Sequence, residues 1–276
     1  MRIILDERRA RPFGGAVMQL GRQDVYATFE QFSEWARVQG VTLRADVTPA
    51  GSNRDDLRAK GYTDDATIFR ALGFDTVHSC DISNYQNASH LMDLNHPVPP
   101  ELKEKYDLVV DGGTIEHIFD QAGLFRNIHS LLKTGGCVMH MSPSTNHMDH
   151  GFYMYSPTLL HDYYTANKYK ILTSYLIQYD MFQHESVPAF IFNYKPGCIP
   201  HKVMYDARSC WLIYFVAMKT AESTGDAIPQ QGCSEKAPSP DLQPKLHPDA
   251  ARGRPVNELL RRFWNQTETL HYLGQY

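Results

Sequence analysis

One stretch limits what this chain can fold into: Tyr106-Asp107-Leu108-Val109-Val110-Asp111-Gly112-Gly113-Thr114-Ile115-Glu116-His117-Ile118. Its first half is an apolar run of the kind that fills a strand buried on both faces of a parallel sheet. The run breaks at an acid followed by two glycines and restarts as a helix behind a Glu-His pair. Further on, Leu131-Leu132-Lys133-Thr134-Gly135-Gly136-Cys137-Val138-Met139 repeats the order of helix end, glycine turn and new strand. A buried strand with a glycine-loosened carboxyl end is where open α/β sheets place a ligand.

The rest of the chain supplies partners for that strand. Residues 1–13 are charged and read as a surface lead-in. Gly14-Gly15 opens a strand over 16–20 that ends at Gly21, and helical spacing of apolar residues follows from 24 to 40. Turn residues at 48–53 make 41–62 an insertion or mobile cover. Thr63-Asp64-Asp65 caps a helix running to Leu72 and closed by Gly73, with acids where the helix dipole favours them. Strands are predicted at 76–80, 90–94, 137–141, 171–179, 190–194 and 211–219, with helices at 119–133 and 157–166. This alternation predicts an α/β fold: a doubly wound, Rossmann-like, mostly parallel sheet of seven-stranded type with helices on both faces.

The domain predicted from this pattern covers 1–220. Periodicity fails beyond it, and Pro229, Pro238, Pro240, Pro244, Pro248 and Pro255 mark 221–255 as a linker or disordered segment. An amphipathic helix is expected over 256–276, with Leu259, Leu260, Phe263 and Trp264 on one side.

Composition removes several function classes. A net charge of -4 with no basic stripe argues against a nucleic-acid partner. No run approaches the roughly 20 apolar residues that span a bilayer. The 5 cysteines are odd in number and unpaired in spacing, which fits a reducing compartment, and a cytoplasmic location is expected.

The predicted strand ends carry acids and glycines in order: Gly21, Asp81, Asp93, then Asp111-Gly112-Gly113. A carboxylate closing the second strand can accept two ribose hydroxyls, and glycines let backbone approach a ligand closely. Together with Val77-His78-Ser79-Cys80-Asp81-Ile82-Ser83, the 106–118 stretch and Leu131 to Gly136 resemble the class I S-adenosylmethionine-dependent methyltransferases, over roughly residues 14–220. The resemblance implies S-adenosyl-L-methionine as cofactor. By it, Asp81 would bind the ribose and Ile82 would lie on the adenine. Asp93 and Leu94 would meet the adenine edge, and Asp111, Gly112, Gly113 and Thr114 would face the methionine end. The turn after the first strand departs from the family pattern: Gln19 stands at the usual acidic position, and Gly21 is the turn's one glycine. Gln19 and Arg22 either hold the cofactor's amino-acid part or are plain loop residues.

The loop Ser142 to Tyr153 follows the next strand and would overhang the same pocket. His147 and His150, with His117, are the candidate general bases, since imidazole titrates near neutral pH. His140 lies near them in the ordering. The spacing of His147, Asp149 and His150 is no familiar zinc signature, and no metal is expected. The reading is a methyltransferase acting on a hydroxyl of a small molecule or sugar. A nitrogen acceptor, a catalytically silent interaction protein and a dinucleotide-type enzyme are the alternatives; the single glycine at 21 argues against the last. Sequence leaves the oligomeric state open.

Overall fold

The computed structural model describes residues 1–84, 86–180, 189–198 and 209–232, and the backbone of 272–275. The elements in order are α1 (Arg2–Ala10), β1 (Ala16–Leu20), α2 (Phe29–Val38), α3 (Asp55–Ala59), α4 (Asp65–Leu72), β2 (Thr76–Asp81), β3 (His90–Leu91), β4 (Tyr106–Asp111), α5 (Gln121–Leu131), β5 (Leu132–Pro143), α6 (Pro157–Ala166), β6 (Lys170–Asp180), β7 (Phe190–Asn193), β8 (Ser209–Met218) and β9 (Tyr272–Gln275). One-turn helices at Pro100–Leu102 and Ile115–His117 interrupt the loops.

All nine strands form one sheet in the order β3-β2-β1-β4-β5-β8-β6-β7-β9. The run from β3 to β5 is parallel, and β8 enters antiparallel between β5 and β6. β7 is antiparallel to β6, and β9 to β7. Seven strands therefore share one direction and two oppose it. The mostly parallel sheet of the sequence reading holds, with β7 and β9 extending one edge.

Alternation along each strand sends side chains to two cores, one on each face. On β8, Ile213, Phe215 and Ala217 join Leu124, Phe125 and Ile128 of α5 and Leu160 and Tyr164 of α6. Tyr214 and Val216 face the other way, into a core with Ile3, Ile4 and Leu5 of α1, Phe32 of α2 and Ile68 and Leu72 of α4. The aromatic excess after residue 152 is mostly core: Phe125 stacks on Tyr163 at 4.4 Å, and Tyr164 on Phe215 at 5.6 Å.

Several boundaries differ from the sequence reading. Residues 1–13 are no surface lead-in: α1 buries Ile3, Ile4, Leu5 and Glu7. Glu7 accepts from Thr173 Oγ1 at 2.7 Å, and Arg8 Nε donates to the Leu72 carbonyl at 2.8 Å. The cover 41–62 contains α3, buries Ser52 and Leu57, and is pinned by a bridge between Gly51 and Thr63. β3 stops at Leu91 because Asp93 turns the chain, accepting from the Asn95 backbone at 2.9 Å. β5 begins at Leu132, earlier than the glycines suggested, through a register shift against β4. Tyr272–Gln275 is a strand where a helix was expected; the remainder of that expected helix lies outside the described residues, as does 233–255 of the linker.

Candidate functional site

The carboxyl ends of β1 and β4 lie side by side, with Leu20 opposite Asp111, at the point where the sheet's strand order reverses. The two loops leaving them interlock. Gly21 has φ 66°, and a Cβ there would stand 2.5 Å from Thr114 Oγ1, so only glycine fits. Thr114 Oγ1 donates to the Leu20 carbonyl at 2.5 Å. In return the Gln23 side chain lies where a Cβ on Gly112 would go. Its Nε2 donates to the carbonyls of Leu20 (3.0 Å) and Gly21 (3.1 Å). Gln23 thereby covers the crevice between the two strand ends, a feature no sequence pattern announced.

Gln19 and Arg22 are engaged elsewhere than expected. Gln19 is buried and its Nε2 donates to Asp65 at 2.6 Å, while Arg22 Nε donates to the same carboxylate at 2.9 Å. Arg22 Nη1 also donates to the Gln86 carbonyl at 2.9 Å. Both therefore tie β1 and its turn to α4. Asp65, read as a helix-start acid, is the buried anchor of this network.

Asp111 is also corrected. It is buried, and its Oδ1 accepts from the backbones of Gly113 (3.3 Å), Thr114 (2.9 Å) and Ile115 (3.2 Å). Its Oδ2 accepts from Ser142 Oγ at 3.0 Å and meets His140 Nδ1 at 2.8 Å. The β4–β5 register places Asp111 opposite His140. His140 Nε2 reaches Tyr164 Oη at 2.7 Å, so this fully buried imidazole is spent on the fold. Asp111 holds the 112–115 loop in shape and offers its side chain to no ligand.

Asp81 is partly exposed at the end of β2, and its Oδ1 accepts from Ser83 N at 2.9 Å. Beside it Ile82 is 75% exposed. Asp93 accepts from Asn95 and lies beside His96, whose Nδ1 is 3.2 Å away, and the Leu94 side chain is in the core.

Glu116, His117 and His150 come together. Glu116 is 0% exposed, and neither oxygen accepts a hydrogen bond. His150 Nε2 stands 3.2 Å and His117 Nε2 3.9 Å from Glu116 Oε1, neither with hydrogen-bond geometry. Burial, and next the charge of Asp111, push the Glu116 carboxyl up to about 7. Burial, and next His150, lower His117. The 147–153 loop is docked on this residue: Phe152 N donates to the Glu116 carbonyl at 2.9 Å, and Gly151 sits against its side chain. His147 lies behind, buried, with Nε2 3.5 Å from Tyr179 Oη. Exposed Phe119 and Phe152, with ring centroids 5.8 Å apart, form an apolar rim, and Met148, in the same loop as Phe152, is also exposed.

Residues 59–185 match the family model of a methyltransferase domain. Over those residues the chain is similar to a methyltransferase domain. The match begins after β1, so the atypical Gly21 turn lies outside it. No curated protein matches the chain in sequence. Among solved structures, the chain is similar to a Burkholderia thailandensis 1,6-didemethyltoxoflavin-N1-methyltransferase with bound substrate and S-adenosylhomocysteine, at 12% identity over 79% of this chain and 76% of that one, TM-score 0.38. It is similar to a putative methyltransferase from Bacillus halodurans, at 12% identity over 80% and 99%, TM-score 0.40. TehB from Haemophilus influenzae gives 13% over 80% and 62%, TM-score 0.40. Among the described residues no helix is long and apolar enough to cross a membrane.

Proposed function

We propose that the domain transfers a methyl group from S-adenosyl-L-methionine to a hydroxyl of a small molecule or sugar. The observation that carries this reading is the pairing, on one sheet edge, of a strand-end crevice with a cluster of imidazoles around a buried acid. Asp81 with exposed Ile82 suits the adenosine half: a carboxylate for ribose hydroxyls and an apolar surface for the base. The backbones of Gly21 and Gly112 to Thr114 flank the methionine half. Gln23 covers that half, so binding there requires its side chain to swing out of the crevice.

The cofactor brings a methyl group on a positively charged sulfur. The residues then have to hold the acceptor in line and remove its proton. His117 and His150, half-exposed on either side of Glu116, are the groups placed to take it, with His147 behind them. The apolar rim of Phe119 and Phe152 would hold the acceptor's body. The alternative, transfer to nitrogen, draws on the Burkholderia protein, whose name gives an N1-methyltransferase.

The test is release of S-adenosylhomocysteine over a panel of hydroxylated small molecules and sugars, each beside its amino analogue. Turnover with hydroxyls that falls in His150→Ala is expected. Turnover with amines alone would move the reading to nitrogen, and turnover with no member of either set would remove small molecules as acceptors.

A further inference from the structure

Glu116 is the one group in this site whose burial is not compensated. Taking a carboxylate out of water without donors is strongly unfavourable, yet Glu116 is 0% exposed and neither oxygen accepts a hydrogen bond. Among the described residues no lysine or arginine forms an ion pair with it; its charged-group contacts are His117 and His150. Both present Nε2 to Oε1 outside hydrogen-bond geometry. Three groups with electron pairs to donate thus face one another.

That is the arrangement a cation resolves. One ligand atom from each of Glu116, His117 and His150 lies within 4.8 Å of the other two. Zinc bonds of 2.0–2.2 Å at tetrahedral angles set neighbouring ligand atoms about 3.3 Å apart. His150 Nε2 and Glu116 Oε1 already stand 3.2 Å apart. His117 Nε2, at 3.9 Å, has to move about 0.6 Å closer to reach that spacing, a shift available to a half-exposed ring.

The scaffold is fixed on the acid side and adjustable on the imidazole side. Glu116 sits in the one-turn helix Ile115–His117, whose first residue is buried in the core. The 147–153 loop closes on the Glu116 carbonyl through Phe152 N, which brings His150 to the acid. His117 is brought there by following Glu116 directly, so the ligand set joins two separate loops.

We propose that Glu116, His117 and His150 form a binding site for a divalent transition cation of the zinc type. Two imidazoles and one carboxylate suit zinc and its first-row neighbours, not magnesium or calcium, which prefer oxygen. Three protein ligands leave a coordination position open. The functional part of the inference rests on the reading of this cluster as the acceptor end. With the cation bound, an acceptor hydroxyl at the open position would lose its proton more easily, as metal-bound water does, and the two imidazoles would serve as ligands in place of bases.

The experiment is calorimetric titration of Zn2+ into the full chain after chelator treatment and removal of the chelator, with Mg2+ as a second probe. One site for Zn2+ is expected, weakened at least tenfold in each of Glu116→Gln, His117→Ala and His150→Ala. The two histidines are half-exposed, so those variants keep the test informative if Glu116→Gln fails to fold. Equal Zn2+ affinity in wild type and the histidine variants, no Zn2+ site in wild type, or a preference for Mg2+ would each overturn the site. S-adenosylhomocysteine is titrated into the same samples. A wild-type chain that binds the cofactor product but no Zn2+ sinks this inference alone; one that binds Zn2+ but not S-adenosylhomocysteine sinks the proposed function and leaves the cation site standing.

Discussion

Asp111 and Glu116 lie at the two ends of one short loop, both withdrawn from water, and they are treated in opposite ways. Asp111 collects three backbone N–H groups, Ser142 and His140. The Glu116 carboxylate accepts no hydrogen bond from the described residues. A saturated buried acid stabilises the loop around it and has nothing left for a ligand. An unsaturated one destabilises the empty site and gains when something positive arrives. The same contrast separates the two halves of the sheet edge. Around β1, Gln19, Arg22 and Asp65 satisfy one another; around the loop after β4, the imidazoles and Glu116 do not.

The largest effect is expected at Asp111. Asp111→Ala strands His140 Nδ1, Ser142 Oγ and the loop N–H groups, and should lower unfolding free energy in urea by about 3–5 kcal/mol, the range for breaking a buried charged network. A loss below 1 kcal/mol would mean the acid is not the loop's anchor.

Asp81→Ala comes next and should act on binding rather than folding. Affinity for S-adenosylhomocysteine should fall by a factor on the order of 10–100, since two charge-assisted hydrogen bonds are worth about 1.5–3 kcal/mol each at full strength and less when partly exposed. Unchanged affinity in calorimetry would move the ribose to another residue.

Glu116→Gln should reverse the sign seen at Asp111. Removing an uncompensated buried charge should leave stability unchanged or raise it by about 1 kcal/mol at pH 8 in chelator. A loss matching that of Asp111→Ala would erase the distinction between the two acids.

The smallest effect is expected at Gln23. Truncation to Ala removes two hydrogen bonds that cover the crevice, each worth about 0.5–1.5 kcal/mol. S-adenosylhomocysteine should bind a few-fold tighter, as the competent state becomes more populated. Weaker binding would make Gln23 a contact and not a cover.

Much of this layout was legible in sequence. The apolar run at 106–111, the Asp64 cap of α4 and the glycine turns follow local rules of periodicity and capping, and they placed the mostly parallel sheet and the loop that carries the site. His117 and His150 of the cluster, and His147 behind them, were legible as types. Their acid was not singled out, because the difference between Glu116 and Asp111 depends on which donors the folded chain brings to each. The β4–β5 register, which puts His140 beside Asp111, is set across 29 residues of sequence. The same holds for Asp65 receiving Gln19 and Arg22, and for α1, whose short apolar run carries no cap signal and gains its helix from packing.

The most direct test is a calorimetric titration of S-adenosylhomocysteine into the wild-type chain. The account predicts one site, with heat that is greatly weakened in Asp81→Ala. A wild-type chain that folds cooperatively and takes up none of it would contradict the reading of this sheet edge as a methyltransferase site.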